Sequence, residues 1–113
     1  MGSSIVYTLF LIGICCLALV RDAQAECCVT VEDVTFTVDR GTCSSVGGYG
    51  GSTCEVRICA DGVAQVGSFC GQGSCNMFGC NCDGGCLTGE WTKTFVERYE
   101  NYGVRIIKSH KFP

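Results

Sequence analysis

Apolar and polar side chains alternate in short stretches of the chain, and this alternation predicts a small β-sheet. Residues 34–38 read VTFTV and residues 55–59 read EVRIC, with the apolar residues on one side of each stretch. Such a period of two is typical of half-buried strands. Residues 104–108, VRIIK, return to strand-forming chemistry near the C-terminus.

Two segments are expected to interrupt this sheet. Val29 and Val31 also alternate with polar residues, but on the opposite parity to residues 34–38. A bulge or turn near residues 32–33 would therefore be needed to bring the apolar side chains of both stretches to the same face of the sheet. Between the first two strands, residues 47–51 read GGYGG, with a cysteine beyond each end. This glycine content predicts a flexible loop without regular structure.

Over residues 91–102 the spacing of the apolar residues changes from that of a strand to that of an α-helix. Thr88 is the expected N-cap, Glu90 would lie in the first turn, and Gly103 is the expected residue just after the helix. Aromatic residues recur at spacings of four, four and three, which places them on one stripe: Trp91, Phe95, Tyr99 and Tyr102. This stripe needs an apolar sheet face, so its members are expected to be core. The predicted fold class is α+β, with a small antiparallel sheet covered by one helix.

The first 25 residues predict a secretory signal peptide. Residues 5–20 form an apolar run, and residues 23–25 read AQA, a small-x-small cleavage site. No Lys or Arg precedes the run, which leaves an uncleaved membrane anchor as the alternative. The expected product is a secreted, extracellular chain that begins at Glu26 and does not insert into membranes after cleavage.

The cysteine content predicts that disulfides hold the fold together. The chain has 12 cysteines, two of them within the apolar run. An even number remains, which allows five bridges with no free thiol: Cys27, Cys28, Cys43, Cys54, Cys59, Cys70, Cys75, Cys80, Cys82 and Cys86. Cys27 and Cys28 are expected to bond to different partners, because a vicinal disulfide is strained. The count leaves the rest of the pairing open.

Half of these cysteines fall in residues 61–88, a glycine-rich stretch without periodicity. We expect this insertion to be a loop-built subdomain held by disulfides. The remaining residues, 26–60 and 89–113, would form the sheet-and-helix subdomain. Because the insertion holds an odd number of cysteines, at least one bridge must tie it to the rest of the chain.

Several chemical functions lack the residues they need. The net charge is -3 with both signs scattered, so no nucleic-acid partner is expected. The cysteine spacing contains no C-x-x-C pair for zinc or for dithiol redox chemistry. His110 is the one histidine, in a tail expected to be frayed, and no base accompanies a nucleophile. No enzyme, catalytic residue, metal or cofactor is therefore predicted.

Binding is the function that remains. Met77 and Phe78 lie between two cysteines in a loop with little material to cover them. Either they fill the small core of the insertion, or they form an exposed apolar patch, together with Phe69 and Leu87, that engages a protein partner. We predict the second, with a monomeric protein that binds an unidentified cell-surface receptor.

A family resemblance is carried by four stretches: ECC at 26–28, DRGTC at 39–43, the cysteine-rich block at 54–91 and YGVRIIK at 102–108. They closely resemble the Diedel family of small secreted insect immune-response proteins, which has relatives in some insect viruses. The main departure is the loop at 44–53, which is shorter and richer in glycine than in the family.

The resemblance implies a function and an architecture. The implied function is a cytokine-like extracellular regulator that dampens innate immune signalling, through the immune deficiency or the JAK/STAT pathway. The implied architecture is a ferredoxin-like sheet-and-helix subdomain beside a disulfide-built loop subdomain. The alternative is a secreted serine protease inhibitor whose Met77-Phe78 loop enters an apolar specificity pocket.

Overall fold

Four strands and one α-helix make up the framework of the computed structural model, which describes residues 26–113. The predicted signal peptide lies outside the described residues. The strands are β1 (Val31–Val38), β2 (Tyr49–Gly50), β3 (Cys54–Ile58) and β4 (Val104–Phe112); the helix is α1 (Thr92–Arg98), and 3₁₀ turns span Cys43–Val46 and Glu100–Tyr102. All strand pairs are antiparallel, in the order β2-β3-β1-β4. The predicted fold class is confirmed.

The main core lies between the sheet and α1. Phe36 of β1 and Phe95 of α1 are both fully buried, and their rings meet edge to face with centroids 5.1 Å apart. Residues from all the long elements surround this pair: Val34, Cys43, Val46, Cys54, Val56, Ile58 and Val104. Trp91, Tyr99 and Tyr102 pack against the same cluster, which confirms the aromatic stripe as core.

The start of β1 does not contain the predicted bulge. Its pairing with β3 runs without a shift from Glu32 opposite Ile58 to Phe36 opposite Cys54, so that prediction was wrong. Val31 instead lies on the other face of the sheet, because its position is of opposite parity. There it forms a second, smaller core with Cys59, Cys70 and Leu87. Val31 is buried at this odd position because the insertion covers the start of β1 on the sheet face away from α1.

The last strand is longer than predicted. β4 extends to Phe112, and His110 is paired opposite Asp33, so the frayed tail was a wrong prediction. A register shift separates Phe36 opposite Ile106 from Thr35 opposite Lys108. Ile107 is therefore the extra residue of a bulge, and the residues after it change face.

The glycine-rich loop is more ordered than predicted. Residues 47–51 contain β2, and the 3₁₀ turn directly before them buries Val46 fully. Gly48 lies so close to its neighbours that a Cβ there would be 3.0 Å from Cζ of Phe36 and 2.8 Å from the carbonyl oxygen of Glu55. The glycines thus allow close packing as well as turning, which composition alone did not reveal.

The helix begins later than predicted. Trp91, at φ 57°, precedes the first helical residue, so Thr88 is not the N-cap. The backbone N–H of Glu90 is outside the helix and donates to Oγ1 of Thr94 at 2.7 Å. Gly103 ends the following 3₁₀ turn in the left-handed conformation, at φ 65°, as expected for the residue after a helix.

Candidate functional site

Five disulfides link all ten cysteines of residues 26–113. The pairs are Cys27–Cys80, Cys28–Cys86, Cys43–Cys54, Cys59–Cys70 and Cys75–Cys82. Cys27 and Cys28 do bond to different partners, which confirms that prediction. Three of the bridges tie residues 61–88 to the rest of the chain, and one closes within them. The insertion is therefore fastened at several points along its length.

Backbone hydrogen bonds add to this fastening. The N–H of Cys28 donates to the carbonyl of Gly79 at 2.7 Å, and the N–H of Cys70 donates to the carbonyl of Cys28 at 2.8 Å. The N–H of Leu87 in turn donates to the carbonyl of Cys70 at 2.9 Å. The segment around Cys28 thus lies between two parts of the insertion. Its bond to Gly79 holds residues 76–80 in place.

Residues 76–80, here called the tip loop, form a closed turn. The N–H of Gly79 donates to the carbonyl of Asn76 at 3.0 Å, and the N–H of Asn76 donates to the carbonyl of Cys80 at 2.9 Å. The side-chain Oδ1 of Asn76 accepts two more bonds, from the N–H of Phe78 at 3.0 Å and from that of Cys80 at 2.9 Å. Gly79 has φ 80°, the left-handed conformation common in short hairpin loops. Most of the loop's backbone polar groups are therefore satisfied internally.

The side chains at the tip of this loop are uncovered. Met77 is 82% exposed and Phe78 is 72% exposed, although both are large and apolar. The N–H of Phe78 is held by Asn76, but the insertion places no residues over these two side chains. Large exposed apolar groups on a fixed backbone are typical of a contact surface for another protein.

The other two predicted site residues lie differently. Phe69 is half-buried and packs beside Gly79, where a Cβ would overlap its ring. Leu87 is half-buried and packs against the second core with Val31. Val29 is exposed and also lies next to Gly79, since a Cβ there would be 2.9 Å from its Cγ1. The structure thus brings Phe69 and Val29 to the base of the tip loop and places Leu87 against the second core.

Sequence reasoning missed Val29 as a member of this surface. It assigned Val29 to an alternating strand, whereas β1 begins only at Val31. The available signal was the adjacent Cys27-Cys28 pair, because two anchored cysteines hold the next residue beside the insertion. We call Met77, Phe78, Phe69 and Val29 the apolar patch.

A recess lies on the sheet face away from α1. It has a volume of about 310 Å³ and is lined in part by Asp33, Tyr49, Glu55 and Arg57. Arg57 donates from Nε to Oδ1 of Asp33 at 2.6 Å and from Nη2 to Oδ2 at 2.9 Å. This hydrogen bonding from Arg57 lowers the pKa of Asp33, and the charge of Glu55 raises the pKa of Tyr49. Arg57 is thus paired with Asp33, and Glu55 lies beside the Tyr49 hydroxyl.

Residues 26–113 show no group of three or more His, Cys, Asp or Glu side chains placed to hold a metal ion. Over the same range, no helix is both long enough and apolar enough to cross a membrane. Within the same residues, the tip loop places two large, exposed apolar side chains, Met77 and Phe78, next to each other.

The fold and the patch together define a small disulfide-rich α+β protein that displays an apolar loop. Comparison with known proteins narrows this class. The model of the Diedel family matches residues 27–100. Protein Diedel of Drosophila melanogaster is 55% identical over an alignment of 113 positions that covers 98% of each chain. The chain belongs to the Diedel family.

A solved structure has the same fold. The crystal structure of the CG11501 protein superposes with a TM-score of 0.76, and its sequence is 56% identical to this one. The superposition covers 78% of this chain and 97% of that chain. The sheet, the helix and the insertion are therefore features of a fold already seen in a crystal.

Proposed function

We propose that this chain is a non-catalytic, extracellular member of the Diedel family that negatively regulates innate immune signalling. It acts on the immune deficiency or the JAK/STAT pathway by binding a protein at the cell surface, and it uses the apolar patch to do so. Three features support this proposal: the family, the disulfide-paired cysteines and the exposed tip loop. Paired cysteines are typical of proteins that work in an oxidising, extracellular environment.

The observation that carries the proposal is the exposure of Met77 and Phe78 on a closed turn. Leaving two large apolar side chains in water favours association, because burying them in an interface removes apolar surface from water. The turn is already ordered by its own hydrogen bonds and by the bridges on either side. Binding therefore loses little backbone entropy, which is how a fixed loop gains affinity. Methionine adapts to the partner's surface and an aromatic ring anchors it.

The geometry does not favour the protease inhibitor. A loop that enters a protease like a substrate must be extended, with backbone groups free to pair with the enzyme. Here the N–H groups of Asn76, Phe78, Gly79 and Cys80 are all bonded within the tip loop. Opening this turn would break those bonds, so insertion into a specificity pocket is opposed.

A reporter experiment tests the proposed function. The purified protein is added to immune-responsive insect cells that carry reporters of the two pathways, which are then stimulated. We expect wild-type protein to lower the output of one reporter and the Met77→Ser/Phe78→Ser variant to have no effect. Val66→Ser is the matched control, because Val66 is 88% exposed on a different loop and its replacement should leave the activity intact.

Two results would contradict the proposal. If wild-type protein changes neither reporter, the signalling function is wrong. If the double variant is as active as wild type, the function stands but the apolar patch is not its binding site. A panel of chymotrypsin-like proteases, incubated with the same preparations, checks the alternative and should show no inhibition.

A further inference from the structure

The outer edge of the sheet presents a long, exposed strand. β4 is the last strand in the order β2-β3-β1-β4, and along the described chain only β1 pairs with it. It has nine residues, of which only Val104 is buried. Its outer edge therefore offers backbone N–H and C=O groups that can pair with another extended chain. The opposite edge, β2, is only two residues long and offers much less.

The charge of β4 differs from that of the protein as a whole. The strand carries Arg105, Lys108 and Lys111 together with His110 and has no acidic residue, whereas the full sequence has a net charge of -3. Between the basic residues lie two exposed apolar ones, Ile106 and Ile107. This combination of unpaired backbone, positive charge and apolar side chains is concentrated on one edge.

The basic side chains of β4 point to both faces of the sheet. Lys108 and His110 stand opposite Thr35 and Asp33, on the face away from α1. Lys111 lies on the helix side, where its Nζ is 4.5 Å from the centre of the Trp91 ring. A ligand lying flat on one face would meet only part of this charge. A strand added beside β4 would meet the lysine charges on both faces, since neighbouring strands share both faces.

We propose that β4 is a docking edge for an extended, acidic segment of a partner protein, which adds to the sheet as a fifth strand. Backbone pairing along the edge supplies the attachment, and acidic side chains opposite Lys108, His110 and Lys111 supply the selectivity. This edge lies on a different element from the tip loop, so the inference goes beyond the function proposed above.

A second copy of the chain fits the edge poorly. If two β4 strands paired antiparallel about their midpoints, Lys108 would face Lys108, and Arg105 would face Lys111. Like charges directly opposite each other destabilise strand pairing. The charge pattern thus opposes self-association and favours an acidic partner.

The test uses a capped synthetic peptide as long as β4, built from glutamate and threonine so that both of its faces carry glutamate. Binding is followed by NMR and by hydrogen exchange of the β4 amides in the disulfide-bonded protein. We expect saturable binding that slows exchange at alternate β4 residues. The same peptide with glutamine in place of glutamate should bind more weakly.

Backbone methylation distinguishes strand addition from simple charge attraction. Two further peptides carry N-methyl groups on one or the other set of alternate residues. Only the set whose N–H groups face β4 should lose binding. Lys108→Glu should weaken binding by about three- to tenfold, because a favourable cross-strand pair becomes a repulsive one. Lys93→Glu, the same change on α1, and Met77→Ser/Phe78→Ser should bind the peptide as wild type does.

Four results would overturn the inference. Binding of neither the peptide nor heparin would mean that the basic residues only protect the edge from aggregation. Equal binding of both methylated peptides would show attraction by charge alone. Binding of heparin that weakens with Lys108→Glu, while the peptide does not bind, would identify the ligand as an anionic polysaccharide. Loss of peptide binding in the Met77→Ser/Phe78→Ser variant would place the site on the tip loop.

Discussion

The side-chain Oδ1 of Asn76 accepts a hydrogen bond from the backbone N–H of Phe78 at 3.0 Å. The residue that begins the tip loop thus fixes the residue at its apex. The same oxygen accepts a bond from Cys80, so one side chain organises most of the turn. An asparagine in this position does for the turn what a backbone acceptor would otherwise do. The backbone at Phe78 is therefore fixed within the tip loop itself.

Replacing Asn76 should loosen the tip loop without unfolding the protein. Asn76→Ala removes the acceptor of two backbone N–H groups that can still bond to water, so we expect a loss of about 0.5–1.5 kcal/mol in unfolding free energy. Amide exchange at Phe78 and Cys80 should become faster, and inhibition of the reporter should need more protein. Asn76→Asp keeps the acceptor and should behave as wild type. Unchanged exchange in Asn76→Ala would show that the disulfides alone order the loop.

Two phenylalanines should respond oppositely to the same substitution. Phe95 is fully buried against Phe36, whereas Phe78 is 72% exposed. Phe95→Ala should lower the unfolding free energy by about 3–5 kcal/mol, because it removes buried surface and leaves a cavity. Phe78→Ala should change it by less than about 0.5 kcal/mol. Denaturant unfolding with the disulfides intact measures both. A large loss from Phe78→Ala would mean that this ring is part of the core.

The pairing of Asp33 with Arg57 should be visible in the titration of the carboxyl group. Hydrogen bonding from Arg57 lowers the pKa of Asp33 below its ordinary value of 3.8. Because the folded-state pKa is the lower one, the pair stabilises the protein above pH 3.8, and this contribution disappears as the pH falls through the folded-state pKa. The contribution is small, since both side chains are about half exposed.

NMR titration of the Asp33 carboxyl carbon checks this assignment. In Arg57→Gln the midpoint should move up toward the ordinary value, because the hydrogen bond and the positive charge are both lost. Identical midpoints in the two proteins would show that the ion pair does not persist in solution.

Reduction should unfold the insertion before the sheet. Residues 61–88 are held by bridges and by one small core around Cys59 and Cys70, which itself contains a disulfide. The sheet and α1 share the larger core around Phe36. After partial reduction, hydrogen exchange should rise first in residues 61–88, while β1 and β3 stay protected longest. Simultaneous loss of protection in both parts would mean that the chain is one cooperative unit.

Local patterns predicted the parts of the fold that depend on one periodicity. Phe36 and Phe95 each follow the period of their own element, so their burial was predictable. Val31 was not, because its burial depends on the insertion, which reaches it only through long-range bridges. The length of β4 was underestimated for a related reason. Residues such as Ser109 and His110 are not strand-forming by propensity, and they extend the strand because β1 lies beside them.

The site was predictable to a similar degree. Sequence spacing located Met77 and Phe78 between two cysteines, but their exposure depends on how thin the folded insertion is. Leu87 and Phe69 could not be separated from them by sequence, since all four are apolar residues in or near the same loop. Val29 joins the patch because Cys28 is bridged to Cys86 and bonded to Gly79; the Cys27-Cys28 pair indicates an anchor there, but its partners lie far along the chain.

Oxidative footprinting of the protein on immune-responsive cells tests the central claim most directly. Apart from Met1, Met77 is the one methionine in the sequence, so its oxidation can be followed by mass spectrometry without overlap. We expect Met77 and Phe78 to be modified much more slowly on binding cells than in free solution, while Val66 is modified equally in both. Equal modification of Met77 in the two states, with the protein demonstrably bound, would show that the tip loop does not contact the partner.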